Sequence, residues 1–203
     1  ANNIVVVTIT GTLSGSYNSA EIAKKIYLEE HPDTKIHVID SLSAGGEVDL
    51  IVRKLNHLVA EGLDFDQVVD GITAYQAKTK LLFVLAKVDN LVKNGRLSKL
   101  VGTVVGLLNI RMVGEASKTG TLELLQKARG QKKAIKAAFD ELLKAGYAGG
   151  HITIAHRNNE KFIEQFSELV REKFAQASIE VLPTSGLCSF YAEEGGLLMG
   201  YEI

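Results

Sequence analysis

The sequence predicts an α/β fold in two lobes. The first carries a parallel sheet flanked by helices; the second carries a mixed α/β sheet with helices on it. Three observations point there. Through the opening third of the chain, apolar β-branched runs alternate with helical periodicity, the pattern of strand–helix–strand units. After about residue 78 this rhythm gives way to strands mixed with a hairpin. The chain has 203 residues and is 46% hydrophobic, enough for one large domain or two small lobes with buried cores. The expected lobes are residues 1–78 and 79–203.

The elements follow in order. Ile4 to Thr10 is a continuous β-branched run, suited to a strand covered on both faces. Tyr17 to Leu28 reads as a helix, with Ile22 and Ile26 one turn apart, and His31-Pro32-Asp33 breaks it. Lys35 to Asp40 is a second strand, followed by the small-residue turn Ser41-Leu42-Ser43-Ala44-Gly45-Gly46. A helix follows with Ile51, Val52, Leu55, Leu58 and Val59 on one side, and another spans Asp64 to Ala77. Leu81 to Leu85 is a strand, and Val88 to Asn94 a short helix ended by Gly95. Arg96 to Leu108 reads as an apolar helix with small residues. Asn109 to Lys127 is a hairpin turning near Lys118-Thr119-Gly120. Gln131 to Lys144 and Asn158 to Ala175 are helices; Ile152 to Ala155, Ile179 to Leu182 and Gly196 to Glu202 are strands.

Charge and cysteine content narrow the function classes. Lys plus Arg total 23 and Asp plus Glu 24, so no basic excess points to nucleic acid. No stretch reaches the roughly 20 apolar residues of a membrane span, so stable membrane insertion is not expected. The single cysteine, Cys188, forms no internal disulfide and fits a reducing cytoplasm; it reads as a small buried hydrophobe. The chain starts at Ala1 without Met, which reads as a piece of something longer. None of the five histidines falls in a metal-ligand spacing, so no metal is expected.

The chemistry concentrates in the turns. In Gly11-Thr12-Leu13-Ser14-Gly15-Ser16 the hydroxyls either cap the next helix or, with its free N–H groups and dipole, hold an anion. The spacing fits neither a dinucleotide-binding loop nor a P-loop, and no nucleophile elbow is present. The second turn, with Ser41 and Ser43, repeats this chemistry, and parallel strands place the two turns near one another. Arg96 after Asn94-Gly95, and Arg129 after the hairpin, stand either beside an anion or at the surface. His156, at a strand end, either lines a polar site or caps the following helix.

Taken together, several stretches resemble the DegV family of fatty-acid-binding proteins. They are VVVTITGTLSGSYNSA (5–20), HVIDSLSAGGE (37–47), NGRLSKLVGTVVGLLNIRMV (94–113), KARGQKKA (127–134) and ITIAHRNNE (152–160). The resemblance covers essentially the whole chain. It implies a two-lobed α/β protein holding one long-chain fatty acid in a tunnel between the lobes. The carboxylate would meet the hydroxyls and amides of Thr10, Gly11, Thr12, Leu13 and Ser14, with Ser41, Ser43, Arg96, Arg129, His156 and Tyr191 as secondary polar contacts. Such proteins are acyl carriers that present the acid to the catalytic subunit of a fatty acid kinase. That implies no catalytic residue and no cofactor beyond the bound acid. Tunnel candidates are Leu97, Val101, Val104, Val105 and Leu108 on the apolar helix, each equally at home in an ordinary core.

The chain departs from the family pattern in three places. The usual opening segment, with its Thr-Ser-x-Pro loop, is absent, which implies a shortened form. In the family's S-S-x-L-S-G-T turn, Thr10 matches the first serine, Gly11 replaces the second and Thr12 takes the variable position. Tyr191 stands where many members carry a histidine; a phenol still donates a hydrogen bond. Two competing readings are an enzyme, either a phosphotransferase or a hydrolase, acting on a small anion at the 10–16 turn, and a regulatory module that senses lipid. An open edge on the first sheet leaves pairing with a second copy as a further arrangement.

Overall fold

The computed structural model describes residues 3–97 and 109–203. Two sheets organise them. Strands β1 (Asn3–Thr8) and β2 (Lys35–Asp40) pair in parallel, Ile4 opposite Ile36 and Thr8 opposite Asp40. Helix α1 (Ser16–Glu30) connects them. The β-branched run that predicts the first strand thus forms it, but the strand stops at Thr8, two residues before Thr10.

The second sheet has six strands in the order β5-β4-β3-β8-β6-β7. They are β3 (Thr79–Leu85), β4 (Ile110–Ala116), β5 (Leu122–Arg129), β6 (His151–His156), β7 (Ser178–Pro183) and β8 (Leu197–Glu202). Only β6 and β7 pair in parallel; the other neighbours are antiparallel. This is the mixed sheet that the change of rhythm predicts, beside a parallel sheet of two strands.

Strand periodicity sends successive side chains to opposite faces, and here the faces have different tasks. Leu82 and Val84 of β3, with Leu197, Met199 and Tyr201 of β8, face a core built with α5 (Gln131–Lys144) and α6 (Glu160–Lys173). Ala134, Ile135, Ala138, Phe139 and Leu142 of α5, and Phe162, Phe166 and Val170 of α6, are buried there. Phe83, Leu85 and Leu198, one step out of phase, face the other way and form a smaller cluster with Leu91, Leu97, Met112 and Ala192. Leu91 belongs to α4 (Asp89–Lys93) and Ala192 to α7 (Gly186–Ala192).

Helix α2 (Gly46–Ala60) joins the two sheets. Ile51 and Leu58 pack with Ile39 of β2 and with Val68 and Ile72 of α3 (Phe65–Gln76), whose start is fixed by a capping box between Asp64 and Gln67. The first turn of α2 lies against β6 and β8. The backbones approach so closely there that a methyl group on Gly46 would be 2.7 Å from the Gly200 nitrogen. Because α2 is gripped on two sides, its buried stripe differs from the predicted one. Leu50, Ile51 and Leu58 are inside, whereas Val52 is 37% and Val59 is 59% exposed. Glu47, in the first turn, is buried and accepts a hydrogen bond from the Thr79 hydroxyl at 2.8 Å. Burial pushes its carboxyl above the ordinary carboxylate range, against the opposing pull of Ser43, Thr79 and Lys80.

Helix α1 differs from the simple amphipathic picture. None of its residues is buried, and Ile22 and Ile26, the pair that marks it as helical, face outwards. Two strands roughly 4.8 Å apart form a strip narrower than a helix with its side chains, about 10 Å across. The short helix α7 is an element that the sequence reading passes over. The predicted helix over 96–108 falls largely outside the described residues. Among the described residues no helix is long and apolar enough to cross a membrane.

Candidate functional site

Because β1 and β2 run in parallel, their carboxyl ends lie together and the two small-residue turns meet. The Thr10 amide donates to the Ser43 carbonyl at 2.8 Å, and the Ser41 amide donates to the Thr8 carbonyl at 3.2 Å. Asp40, the last residue of β2, sits between the turns. Its carboxylate accepts from the Gly11 amide at 3.1 and 3.2 Å and from the Leu42 amide at 2.9 Å. The protein's own carboxylate therefore occupies the amides that an outside anion would seek.

The remaining donors of the turn are also directed inwards. The amides of Leu13 and Ser14 both donate to the Thr10 carbonyl at 3.2 Å. The Thr12 hydroxyl donates to the Gly120 carbonyl at 2.7 Å, and the Thr10 and Thr12 hydroxyls lie 3.0 Å apart. Thr10 is wholly buried. Ser14 differs: its oxygen accepts from the Ser16 amide at 3.2 Å, and its proton has no acceptor among the described residues. Residues 10 to 13 thus shape the turn.

Beside this turn lies an apolar cavity of about 170 Å³. Leu13 and Ala44 bring the two turns to it; Phe83, Leu85, Leu122 and Leu198 bring the six-stranded sheet; Leu187, Cys188, Tyr191 and Ala192 bring α7. The volume is below the roughly 300–1,000 Å³ of sites that enclose whole drug-sized ligands, so a long hydrocarbon placed here runs beyond this lining. Burial pushes the Cys188 thiol up, against a weaker opposing contact with the Gly45 backbone, so the thiol is neutral and acts as apolar wall.

The few polar groups of the lining include Arg96 and Tyr191, and these two meet. The Arg96 guanidinium lies over the Tyr191 ring, 5.7 Å from its centroid. Its Nε donates to the Leu13 carbonyl at 3.2 Å and its Nη1 to the Asn94 carbonyl at 2.7 Å. A cation and a phenol are therefore held next to Leu13, on the lining of a largely apolar space. Such an arrangement suits an amphiphile with an anionic head.

The other residues singled out from the sequence fall elsewhere. Ser41 and Ser43 are buried beneath the turn and bonded to one another, Ser41 Oγ to the Ser43 carbonyl at 3.1 Å. Ser41 faces a separate polar cavity of about 280 Å³ with Glu47, Thr79 and Lys80. The Ser41 hydroxyl ties the turn together through the Ser43 carbonyl and amide, and neither serine is among the residues lining the apolar cavity. His156 caps α6, its Nδ1 accepting from the Asn159 amide at 3.2 Å. Arg129 ends β5 exposed, and is not among the residues lining the apolar cavity. Leu97 is buried against Phe83, Leu85 and Leu91, which do line it. Val101, Val104, Val105 and Leu108 lie outside the described residues.

The sequence reading missed the contribution of α7. The run Gly186-Leu187-Cys188-Ser189-Phe190-Tyr191-Ala192 is short, and only Ala192 is fully buried. The available signal was Ser185, a typical N-cap residue, before an apolar stretch. Glu193, just after α7, accepts from the Asn90 amide at 2.9 Å at the start of α4. Among the described residues no cluster of three or more His, Cys, Asp or Glu is placed to hold a metal.

Comparison with known proteins gives consistent likenesses. The family model described as "Uncharacterised protein, DegV family" matches residues 1–201. A DegV domain-containing protein of Streptococcus pneumoniae is 78% identical over all 203 residues, which span 72% of its length. The crystal structure of the Streptococcus pneumoniae Fatty Acid Kinase (Fak) B3 protein loaded with linoleic acid superposes with a TM-score of 0.97 at 78% identity, covering 100% of this chain and 72% of that one. A DegV family protein from Eubacterium eligens loaded with heptadecanoic acid gives 0.95 at 40% identity, covering 100% and 73%.

Proposed function

The chain belongs to the DegV family, and on that premise we propose that it binds a long-chain fatty acid and presents its carboxylate to the catalytic subunit of a fatty acid kinase. The observation that carries this reading is the polarity of the cavity: its walls are almost wholly apolar, and Arg96 and Tyr191 meet on its lining beside the Leu13 carbonyl, next in sequence to Ser14. Burying about 15 methylenes at ~0.8 kcal/mol each contributes on the order of 12 kcal/mol before binding costs. That gain survives only if the carboxylate is partnered, since stranding it costs several kcal/mol. The fatty acids named for the Streptococcus pneumoniae and Eubacterium eligens structures support the same class of ligand.

On this reading the protein is a carrier, its ligand is the acid itself, and it works in the cytoplasm. Its lobes are residues 1–78 and 79–203, with α2 bridging them. Ser14 donates directly to the carboxylate, while Thr10, Gly11, Thr12 and Leu13 hold the turn that presents it. An enzyme acting on a small anion at residues 10–16 is less well supported, because Asp40 already holds the Gly11 and Leu42 amides. Solvent extraction of the protein purified from a bacterium, followed by mass spectrometry, tests the proposal. We expect a long-chain fatty acid in near-stoichiometric amount. Extraction of no fatty acid, together with no binding of added palmitate, contradicts it.

A further inference from the structure

We infer that Thr12 is a positioning residue for the fatty acid site: its hydroxyl clasps the carboxylate turn to the tip of the β4–β5 hairpin and thereby holds Leu122 in the cavity wall. This rests on the fatty acid reading above.

A threonine hydroxyl has one proton. That of Thr12 goes to the Gly120 carbonyl at 2.7 Å, across 108 positions of sequence. The bond between the Thr10 and Thr12 hydroxyls must then be donated by Thr10. Thr10 Oγ1 in turn accepts from the Thr12 amide at 3.4 Å. Both protons are spent on the chain, so Thr12 has none for a ligand carboxylate while the clasp is closed.

The receiving side is built for this contact. Gly120 has φ +79°, a region that disfavours side chains. A Cβ there would overlap Thr10 Oγ1 and lie 2.9 Å from Thr10 Cβ and 3.0 Å from Leu42 Cα. The tip therefore seats against both turns at once. It is also stiff. The Ser117 oxygen accepts from the amides of Thr119 and Thr121, at 3.2 and 3.1 Å, and shares a 2.7 Å bond with the Thr121 hydroxyl. The Ser117 carbonyl accepts from the Gly120 amide at 2.9 Å. Two residues beyond Gly120, Leu122 opens β5 and lines the apolar cavity. On the other side of the clasp, Leu13 lines the same cavity and its carbonyl receives Arg96. One exposed threonine thus fixes the relative placement of a wall from each sheet.

The test uses Thr12→Val, which keeps shape and removes the hydroxyl, and Thr12→Ser, which restores it. Two quantities are read: amide hydrogen exchange over residues 117–122 without added fatty acid, and the dissociation constant for palmitate. Thr12→Val is expected to speed exchange in the hairpin tip about tenfold and to weaken palmitate binding about five- to tenfold, the loss of one net hydrogen bond. Thr12→Ser returns both towards wild type. Weakened binding with unchanged exchange at the tip overturns the inference, since it marks a direct contact with the ligand; unchanged values of both overturn it as well. Palmitate binding by the wild-type protein, measured alongside, reports separately on the fatty acid reading.

Discussion

Gly46→Ala destabilises the protein by about 3 kcal/mol or more, at the upper end of overpacking substitutions. A methyl group at this position would overlap the Thr153 carbonyl oxygen, and would lie 2.7 Å from the Gly200 nitrogen and 3.0 Å from the Leu198 carbonyl oxygen. All three are main-chain atoms of paired strands, which cannot step aside as a flexible side chain does. The helix must instead withdraw from the sheet. That movement opens the contacts of Leu50 and of Glu47, which is buried against Thr79. Urea unfolding followed by circular dichroism measures the loss, and a fall of roughly 6–12 °C in melting temperature accompanies it. Gly15→Ala provides the contrast. Nothing lies within 4 Å of a Cβ there, and φ is −71°, so it is neutral or stabilising by about 0.4–1 kcal/mol. Equal effects at the two glycines contradict the account of how α2 docks.

Cys188→Trp abolishes most fatty acid binding while the fold persists. Cys188 lines the cavity from α7, together with Phe83 and Leu85 of β3 and Leu198 of β8. An indole in place of the thiol fills much of a space of about 170 Å³. Excluding about six methylenes forfeits about 5 kcal/mol at ~0.8 kcal/mol each, three to four orders of magnitude in Kd. Cys188→Ala, which removes bulk, leaves affinity within a few-fold. Displacement of a fluorescent fatty acid measures both. A tryptophan variant that binds like wild type places the acyl chain elsewhere.

Much of the architecture was legible because local signals and tertiary environment agreed. Gln131–Lys144 was bounded to the residue, since one stripe of α5 buries Ala134, Ile135, Ala138, Phe139 and Leu142 against one core. Lys35–Asp40 was equally clear, as alternating apolar residues run straight into a turn. Where two surfaces compete for one helix, periodicity failed: α2 answers to both sheets, so Val52 and Val59 face outwards although they extend an apparent stripe. In α1 the opposite holds; the stripe exists but the two strands beneath are too narrow to bury it.

Of the candidate site, the chemistry of its turn was legible and its partners were not. Thr12 and Ser14 announce a hydroxyl-rich turn, but sequence does not show that Asp40 holds the Gly11 amide or that Thr12 reaches Gly120. Those partners are far along the chain, and only the folded pairing of the sheets brings them together. Ser41 and Ser43 look like Thr12 and Ser14 in sequence, yet lie buried under the turn. Composition of a turn states what chemistry is available, not which way it points. The contribution of α7 was lost for a related reason: most of a short amphipathic helix lining a cavity stays partly exposed, so it lacks the dense apolar pattern of a core helix.

The central claim is that the acid head of a fatty acid lies at the 10–14 turn with its tail in the apolar cavity. Palmitate labelled with ¹³C along its whole chain, C2 being the carbon next to the carboxylate, tests it by isotope-filtered nuclear Overhauser contacts in the bound complex. The account predicts contacts from C2 to Leu13, Ser14 and Tyr191, and contacts from later methylenes to Leu85, Leu122 and Leu198. Contacts of C2 confined to the walls formed by β3 and β8, or to the α5–α6 side of the large sheet, contradict it.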